Sequence, residues 1–294
     1  MVVFTLTRDL IHLARPTQYT KNLFIFLPML FAFKINDLVL LKSAFIAFIA
    51  FSLIASAVYT VNDWFDRLED ASHSIKKARP IASGRIGLYT AVCFASVLFV
   101  SGIYIGSTVS AVVVMLLLIY MCLNIAYSVI LKHIAIIDVV VISLGFVIRL
   151  FVGSYATNIG LSHWIIVMTF LLALFLSLAK RRDDVLIYLK TQTKARKVID
   201  GYNLKFLDAA MMMTSSIVIL AYILWSISQD VTTRIGSDEL YLTSIFVVVG
   251  ILRYMQITFV EEKSGNPSSI LLIDRFIQLS LFGWITSFAL LFYV

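Results

Sequence analysis

The chain has 294 residues, of which 61% are hydrophobic, and it carries a formal net charge of +7. Its mean hydropathy is +0.96, and several apolar runs reach the roughly 20 residues that a helix needs to cross a bilayer. This composition excludes an ordinary soluble domain and indicates a polytopic helical membrane protein, whose excess of Lys and Arg belongs to cytoplasmic loops rather than to a nucleic-acid surface.

Hydropathy predicts an all-α membrane protein that forms a single domain over residues 1–294. Nine membrane-spanning helices are expected, at 22–35, 39–61, 87–107, 110–130, 134–155, 163–180, 207–227, 240–260 and 274–293. Most of the 24 Lys and Arg residues fall on one side of this topology. Positive charge marks the cytoplasmic side, so the N-terminus and the two long charged loops, 62–86 and 181–206, are expected inside and the C-terminus outside.

The first charged loop begins with three carboxylates at helical spacing. Asp63, Asp66 and Asp70 stand at positions i, i+3 and i+7, so a helix places them on one face. Like charges this close repel one another, and Mg²⁺ relieves the repulsion by binding one or two carboxylates together with substrate phosphates. Lys76 and Arg79 follow directly and are expected to hold the same phosphates; the alternative is a solvated, charge-rich helix end. The predicted metal ligands are Asn62, Asp63, Asp66 and Asp70, with Asp63 and Asp66 as the catalytic pair.

Two further segments concentrate cations next to apolar spans. The second charged loop begins with Lys180 and Arg181, and Asp184 lies one helical turn beyond Lys180. The amino-terminal segment places Arg15 and Lys21 just before the first span. Both patterns predict phosphate contacts at the membrane surface. The alternatives are positive-inside charge in the loop and interfacial anchoring of the amino-terminal segment.

Two charged residues fall inside the fifth predicted span. Asp138 and Arg149 are eleven residues apart, or about 16 Å along a helix axis, which is too far for direct contact. Charge within a bilayer is costly and faces the interior of the helix bundle. We therefore expect the partner of Arg149 to be a polar group on another helix. The charges Arg253 and Asp274, at the ends of spans eight and nine, are expected to be anchors.

The first loop, N-D-x-x-D-x-x-x-D from Asn62, resembles the first aspartate motif of the UbiA superfamily of membrane prenyltransferases. That resemblance covers nearly the whole chain. It implies nine helices around a central cavity that is open to the cytoplasm and to lipid, with Mg²⁺ and a diphosphate held by two aspartate-rich loops. The second loop departs from the usual D-x-x-x-D pattern, because Asp183 and Asp184 are adjacent and Ile187 and Tyr188 occupy the expected carboxylate positions.

This departure is similar to one branch of the superfamily, the decaprenyl-phosphate phosphoribosyltransferases. The elements that carry the likeness, in chain order, are Arg15-Pro16 with Gln18, Lys21 and Asn22; the first loop with His73, Lys76 and Arg79-Pro80; Ala126-Tyr127-Ser128 with Lys132; Gly145 to Arg149; Lys180-Arg181 with Asp184; Arg196 and Tyr202; and Leu252-Arg253-Tyr254 with Gly265, Pro267 and Asp274. Each element is weak alone, and their order along one chain is specific.

The resemblance implies transfer of a 5-phosphoribosyl group from 5-phosphoribosyl 1-diphosphate (PRPP) to a polyprenyl phosphate in a bacterial plasma membrane, with Mg²⁺ as cofactor. The lipid phosphate is already ionised at neutral pH, so no general base is expected. The alternatives are prenyl transfer from a prenyl diphosphate to an aromatic or lipid acceptor, and a non-catalytic lipid-phosphate transporter. The residues expected to contact phosphates are Arg15, Lys21, Asn22, Lys76, Arg79, Tyr127, Lys132, Lys180, Arg181, Asp184 and Arg196.

Overall fold

The computed structural model describes residues 2–72, 76–192, 197–265 and 267–293. These residues form helices joined by turns and loops, and they include no strand. The α-helices are α1 (Val2–Ala14), α2 (Leu27–Phe31), α3 (Leu38–Phe65), α4 (Arg67–Ser72), α5 (Leu88–Ser107), α6 (Ala111–Val129), α7 (Ile137–Thr157), α8 (His163–Thr191), α9 (Leu204–Ser226), α10 (Gln229–Ile235), α11 (Ser244–Phe259), α12 (Pro267–Ile273) and α13 (Arg275–Tyr293). Short 3₁₀ segments lie at Pro16–Phe26, Lys76–Ala78, Leu131–His133, Lys197–Gly201 and Glu239–Thr243.

Seven of the described helices are long and apolar enough to cross a membrane. They are α3, α5, α6, α7, α8, α9 and the stretch Glu239–Phe259, and they match the second to eighth predicted spans. The last predicted span corresponds to α13, in which the stretch Arg275–Leu291 is apolar. The first is divided into the 3₁₀ segment Pro16–Phe26 and the five-residue α2, each with a proline in its first turn. The all-α prediction is confirmed, whereas the count of nine spans is not.

Polar caps explain where several of the long helices begin. The Asp37 carboxylate accepts hydrogen bonds from the amides of Val39 and Leu40 at the start of α3. Ser110 and Asn203 cap α6 and α9 in the same way. Such side chains satisfy amides that have no partner within the helix. The loop boundaries that hydropathy predicts are therefore also encoded by local capping residues.

The chain forms two compact units, Met1–Lys132 with Leu144–Leu161, and His133–Ser143 with Ser162–Val294. In the first unit α3 packs against α5 and α6, and buried small residues permit close approach. A Cβ on Gly102 would lie 2.9 Å from the side chain of Ile54. A Cβ on Gly153 of α7 would lie 1.9 Å from the carbonyl oxygen of Ile25, so only glycine permits this contact with the 3₁₀ segment.

The second unit is built on the pairing of α8 with α9 and of α11 with α13. Its core is lined by residues such as Phe175, Leu207, Met211 and Tyr254. The helices that carry the charged loops are unusually long: α3 has 28 residues and α8 has 29. At 1.5 Å per residue each measures roughly 42 Å, more than the roughly 30 Å hydrocarbon core. Each is therefore longer than the apolar layer is thick, and its acidic residues lie in its last turns.

Candidate active site

The carboxylates of the first loop lie at the end of α3 and on α4, which follows it almost without interruption. Asp66 caps α3, and its carbonyl oxygen accepts the amide of Asp70 at 2.8 Å. The side chains of Asp63 and Asp70 are 3% exposed and that of Asp66 is 20% exposed. Asn62 donates its amide to Asp66 at 3.1 Å. The C-terminal end of a helix is its negative pole, so Asp63 and Asp66 at the end of α3 require nearby cations.

Arg15 and Arg79 supply cations to the two buried carboxylates. Arg15 forms an ion pair with Asp63. One terminal nitrogen of Arg79 donates to Asp63 at 3.0 Å and to Asp70 at 2.6 Å. The bridge formed by Arg79 shows that Asp63 and Asp70 lie side by side, as their helical spacing predicts. Lys76 stands 3.9 Å from Asp70.

Lys132 supplies the cation for the remaining carboxylate. It lies in the 3₁₀ segment after α6 and forms an ion pair with Asp66, the most exposed of the three acids. Tyr127, another residue expected to contact phosphate, lies in the last turn of α6. The structure thus gathers Arg15, Lys76, Arg79 and Lys132 around the predicted magnesium ligands.

The amino-terminal segment is shaped to deliver Arg15. The helix α1 ends at Ala14, and Arg15 adopts a left-handed backbone with φ 51°. That conformation is strained for a residue other than glycine, and strain of this kind is common at functional sites. The hydroxyl of Ser56 holds the carbonyl oxygen of Ala14 at 2.8 Å and lies 2.9 Å from the Tyr19 hydroxyl. The guanidinium of Arg15 also lies 5.2 Å from the ring centre of Tyr59.

The donor atoms of this loop suit magnesium that is shared with a phosphate, rather than magnesium enclosed by protein alone. Within the described residues, no group of three or more His, Cys, Asp or Glu side chains is arranged to hold a metal ion. Mg²⁺, however, needs only one or two protein carboxylates when phosphate oxygens complete its shell. Asp63 and Asp66 offer such hard oxygen donors one helical turn apart. The residues therefore fit Mg²⁺ bound together with a diphosphate.

Arg149 has the buried polar partner that its position predicts. It is 4% exposed, and its Nε donates to the amide oxygen of Asn22 at 2.8 Å. Its terminal nitrogens donate to the carbonyl of Gly145 at 2.7 Å and to the hydroxyl of Tyr120 at 3.2 Å. Asn22 itself is 1% exposed and donates to Ser52 at 2.9 Å. The prediction of a partner on another helical segment is confirmed.

The environment of Asn22 bears on its expected role in phosphate binding. Both ends of its side-chain amide are engaged inside the protein, the oxygen by Arg149 and the nitrogen by Ser52. These bonds give Asn22 a structural role, and Lys21 of the same 3₁₀ segment stays the phosphate contact that we predict there. Sequence reasoning did not single out Ser52 or Ser56. Two serines spaced i, i+4 near the middle of a largely apolar span were the available signal.

The second charged loop has its own buried network, centred on Asp138 at the start of α7. Asp138 is fully buried and accepts hydrogen bonds from Arg181 of α8 and from the hydroxyl of Tyr202. Arg181 is 1% exposed and also donates to Asp184 at 2.8 Å. Burial, together with the hydrogen bond to Asp138, raises the pKa of Tyr202. Asp138 thus pairs with Arg181, and Arg181 orients Asp184.

Arg181 stands between a buried cation, Arg182, and an exposed one, Lys180. Arg182 is 6% exposed and donates to Asp208 at 2.6 Å and to the carbonyl of Thr258 at 2.8 Å. Sequence reasoning assigned no role to Arg182, which stands among other charges of the second loop, or to Asp208, which lies at the start of the predicted span 207–227. Lys180 is exposed at the end of the apolar part of α8. Arg196, predicted to bind phosphate, lies outside the described residues, as does His73.

The fold is helical, with long apolar helices that carry an aspartate-rich loop and a cationic loop, and this arrangement fits a membrane-embedded transferase. The model of the UbiA prenyltransferase family matches residues 23–282. The chain belongs to that family, and it is an integral membrane protein.

Two relatives and one solved structure are similar to this chain over most of its length. The decaprenyl-phosphate phosphoribosyltransferase of Mycolicibacterium smegmatis is 30% identical over 292 residues, which cover 95% of this chain and 91% of the relative. That of Mycobacterium tuberculosis is 30% identical over 277 residues, with coverage of 93% and 90%. The structure of a UbiA homologue from Archaeoglobus fulgidus bound to DMAPP and Mg²⁺ has a TM-score of 0.72 at 17% identity and covers 97% of this chain and 100% of its own. That likeness confirms the predicted fold.

Proposed function

We propose that the protein transfers the 5-phosphoribosyl group of PRPP to a polyprenyl phosphate and releases pyrophosphate. The observation that carries this proposal is the charge of the first loop: each of its three carboxylates already contacts a cation, and Lys76 adds a further one. A lipid phosphate, a diphosphate and a 5-phosphate together need more positive charge than a single prenyl diphosphate does. Two relatives named decaprenyl-phosphate phosphoribosyltransferase, which this chain matches over 91% and 90% of their length, support the same choice.

In this proposal Asp63 and Asp66 hold Mg²⁺ on the diphosphate, with Asn62 and Asp70 completing the predicted ligand set. Bound magnesium would neutralise charge that develops on the leaving diphosphate. Lys76 and Arg79 bind the diphosphate oxygens. The bond from C1 of ribose to the diphosphate oxygen breaks, and a bond from C1 to an oxygen of the lipid phosphate forms.

The remaining groups bind the diphosphate, the acceptor and the 5-phosphate. Arg15 and Lys132, which contact Asp63 and Asp66, are assigned to the diphosphate. Lys21 and Tyr127 are assigned to the lipid phosphate, which attacks as an anion and requires no base. On the second loop, Lys180 is assigned to a substrate phosphate. Because the donors of Arg181 reach Asp138 and Asp184, we assign Arg181 the role of holding Asp184 in place rather than direct phosphate binding.

We also propose that the N-terminus and both charged loops face the cytoplasm of a bacterial cell and that the C-terminus faces outward. The long α3 and α8 carry their charged ends beyond the apolar layer, which is consistent with chemistry at the cytoplasmic surface. Attachment of a fluorophore to single cysteines in each loop, read in sealed vesicles, tests this orientation.

The decisive experiment supplies the purified protein in detergent with Mg²⁺, a polyprenyl phosphate and PRPP, followed by mass spectrometry of the lipid fraction. The expected product is a polyprenyl phosphate that carries a phosphoribosyl group, with one pyrophosphate released per lipid. Pyrophosphate release only with a prenyl diphosphate and an aromatic or lipid acceptor would identify a prenyltransferase instead. No release with either donor would favour a transporter.

A further inference from the structure

The cations around the first loop serve two kinds of anion. Arg15, Arg79 and Lys132 contact the carboxylates of this loop, and the proposed function also assigns them to substrate phosphates. We propose that these cations exchange partners: they neutralise the carboxylates until magnesium and diphosphate bind together, and they then turn to the phosphate oxygens. This rests on the part of the proposed function that puts a magnesium diphosphate on Asp63 and Asp66.

Charge balance makes the two ligands depend on each other. Mg²⁺ alone must displace the cations that already neutralise the carboxylates. The displaced cations are then left without an anion to bind. A diphosphate alone would draw the cations away from Asp63 and Asp70, which are 3% exposed and would be left buried and uncompensated. Bound together, the ion satisfies the carboxylates and the diphosphate satisfies the cations. Each ligand must then raise the affinity for the other by the same factor.

The exchange is expected to begin at Lys132 and Asp66. Their side chains are 14% and 20% exposed, whereas Asp63 is 3% exposed and is held by two arginines. A lysine ammonium on a flexible stem changes partner more readily than a guanidinium fixed between two acids. Removal of the Lys132 side chain should therefore affect the two ligands in opposite ways, because it takes away a competitor of magnesium and a partner of the diphosphate.

The test is equilibrium dialysis of the purified full-length protein in detergent against Mg²⁺ alone, labelled pyrophosphate alone, or both. The protein-free compartment accounts for magnesium pyrophosphate that forms in solution. In the wild type, pyrophosphate is expected to tighten magnesium binding by about tenfold or more. In Lys132→Met, magnesium alone should bind about threefold more tightly because a competing cation is gone. Pyrophosphate with magnesium should bind about tenfold more weakly, because a charge-assisted hydrogen bond is lost.

Two controls accompany this variant. Lys132→Arg retains the charge and should restore most of the pyrophosphate affinity. Lys42→Met removes an exposed lysine near the other end of α3, about 30 Å from Asp63 along the helix axis, and should change neither affinity.

A wild type that binds magnesium equally well with and without pyrophosphate overturns the exchange, even where the enzyme is active with PRPP. An unchanged affinity of Lys132→Met for magnesium alone overturns it as well. Failure of PRPP as a donor, in contrast, would appear in the lipid product and leave these binding results intact. The wild-type measurement needs no variant, so it decides the matter even where Lys132→Met does not fold.

Discussion

Replacement of Arg149 by methionine is expected to destabilise the first unit through the loss of its bond to Asn22. The guanidinium is 4% exposed, and its Nε lies 2.8 Å from the Asn22 amide oxygen. Methionine follows the course of the arginine stem but leaves that oxygen without this donor. A buried acceptor that loses its partner costs about 1–3 kcal/mol.

Two other contributions adjust this figure. The guanidinium lies within 5.2 Å of the ring centres of Phe51, Tyr120 and Phe146, and loss of these contacts adds about 1–2 kcal/mol. Removal of a buried charge relieves its desolvation and offsets part of the loss. The net expectation is about 2–3 kcal/mol, or a fall of roughly 5 °C in the unfolding midpoint.

The assay is a double-mutant cycle read by thermal unfolding in detergent, with Arg149→Met, Asn22→Leu and the combined variant. The double variant leaves neither group without its partner, so it should be less destabilised than the sum of the single variants by about 1–2 kcal/mol. The exposed Lys42→Met serves as the control. Additivity within about 0.5 kcal/mol, or an unchanged midpoint for Arg149→Met, would refute the contact between Arg149 and Asn22.

Three further predictions concern the charged loops. Asp63→Asn and Asp66→Asn should each abolish pyrophosphate release while the protein still elutes as folded, because an amide lacks the charge that Mg²⁺ needs; near-normal turnover with the same metal dependence would contradict this. Arg181→Ala should lower stability by about 3–5 kcal/mol, since it leaves Asp138 buried without its cation, and an unchanged unfolding midpoint would count against that network. Lys180→Ala should raise the KM for PRPP about tenfold with unchanged stability; an unchanged KM would reduce Lys180 to a topology signal.

The part of the site that depends on residues close together in the sequence could be predicted. The spacing of Asp63, Asp66 and Asp70 follows from the helical period, and the bridge formed by Arg79 agrees with it. What the spacing did not reveal is that each carboxylate already has a cation. That outcome depends on α1, on the 3₁₀ segment after α6 and on the strained backbone of Arg15. None of these is encoded near the aspartate loop.

The first span shows a limit of hydropathy. Residues 22–35 are apolar enough to suggest a crossing helix, yet they form a 3₁₀ segment and a short α2. Pro28 lacks an amide hydrogen and starts a new turn. The buried contacts of Asn22 with Arg149 and of Ile25 with Gly153 hold this irregular path in place. Hydropathy measures composition in a window and carries no information on such contacts.

Hydropathy and helical period act between neighbouring residues, so they were enough to predict the class of protein, the positions of the long helices and the face of the first loop. The pairing of distant charges depends on tertiary contacts. Arg149 finds Asn22 across 127 positions, and Arg181 finds Asp138 across 43. In a low-dielectric interior a cation must reach a polar partner. Which partner that is depends on which distant helix the fold brings beside it.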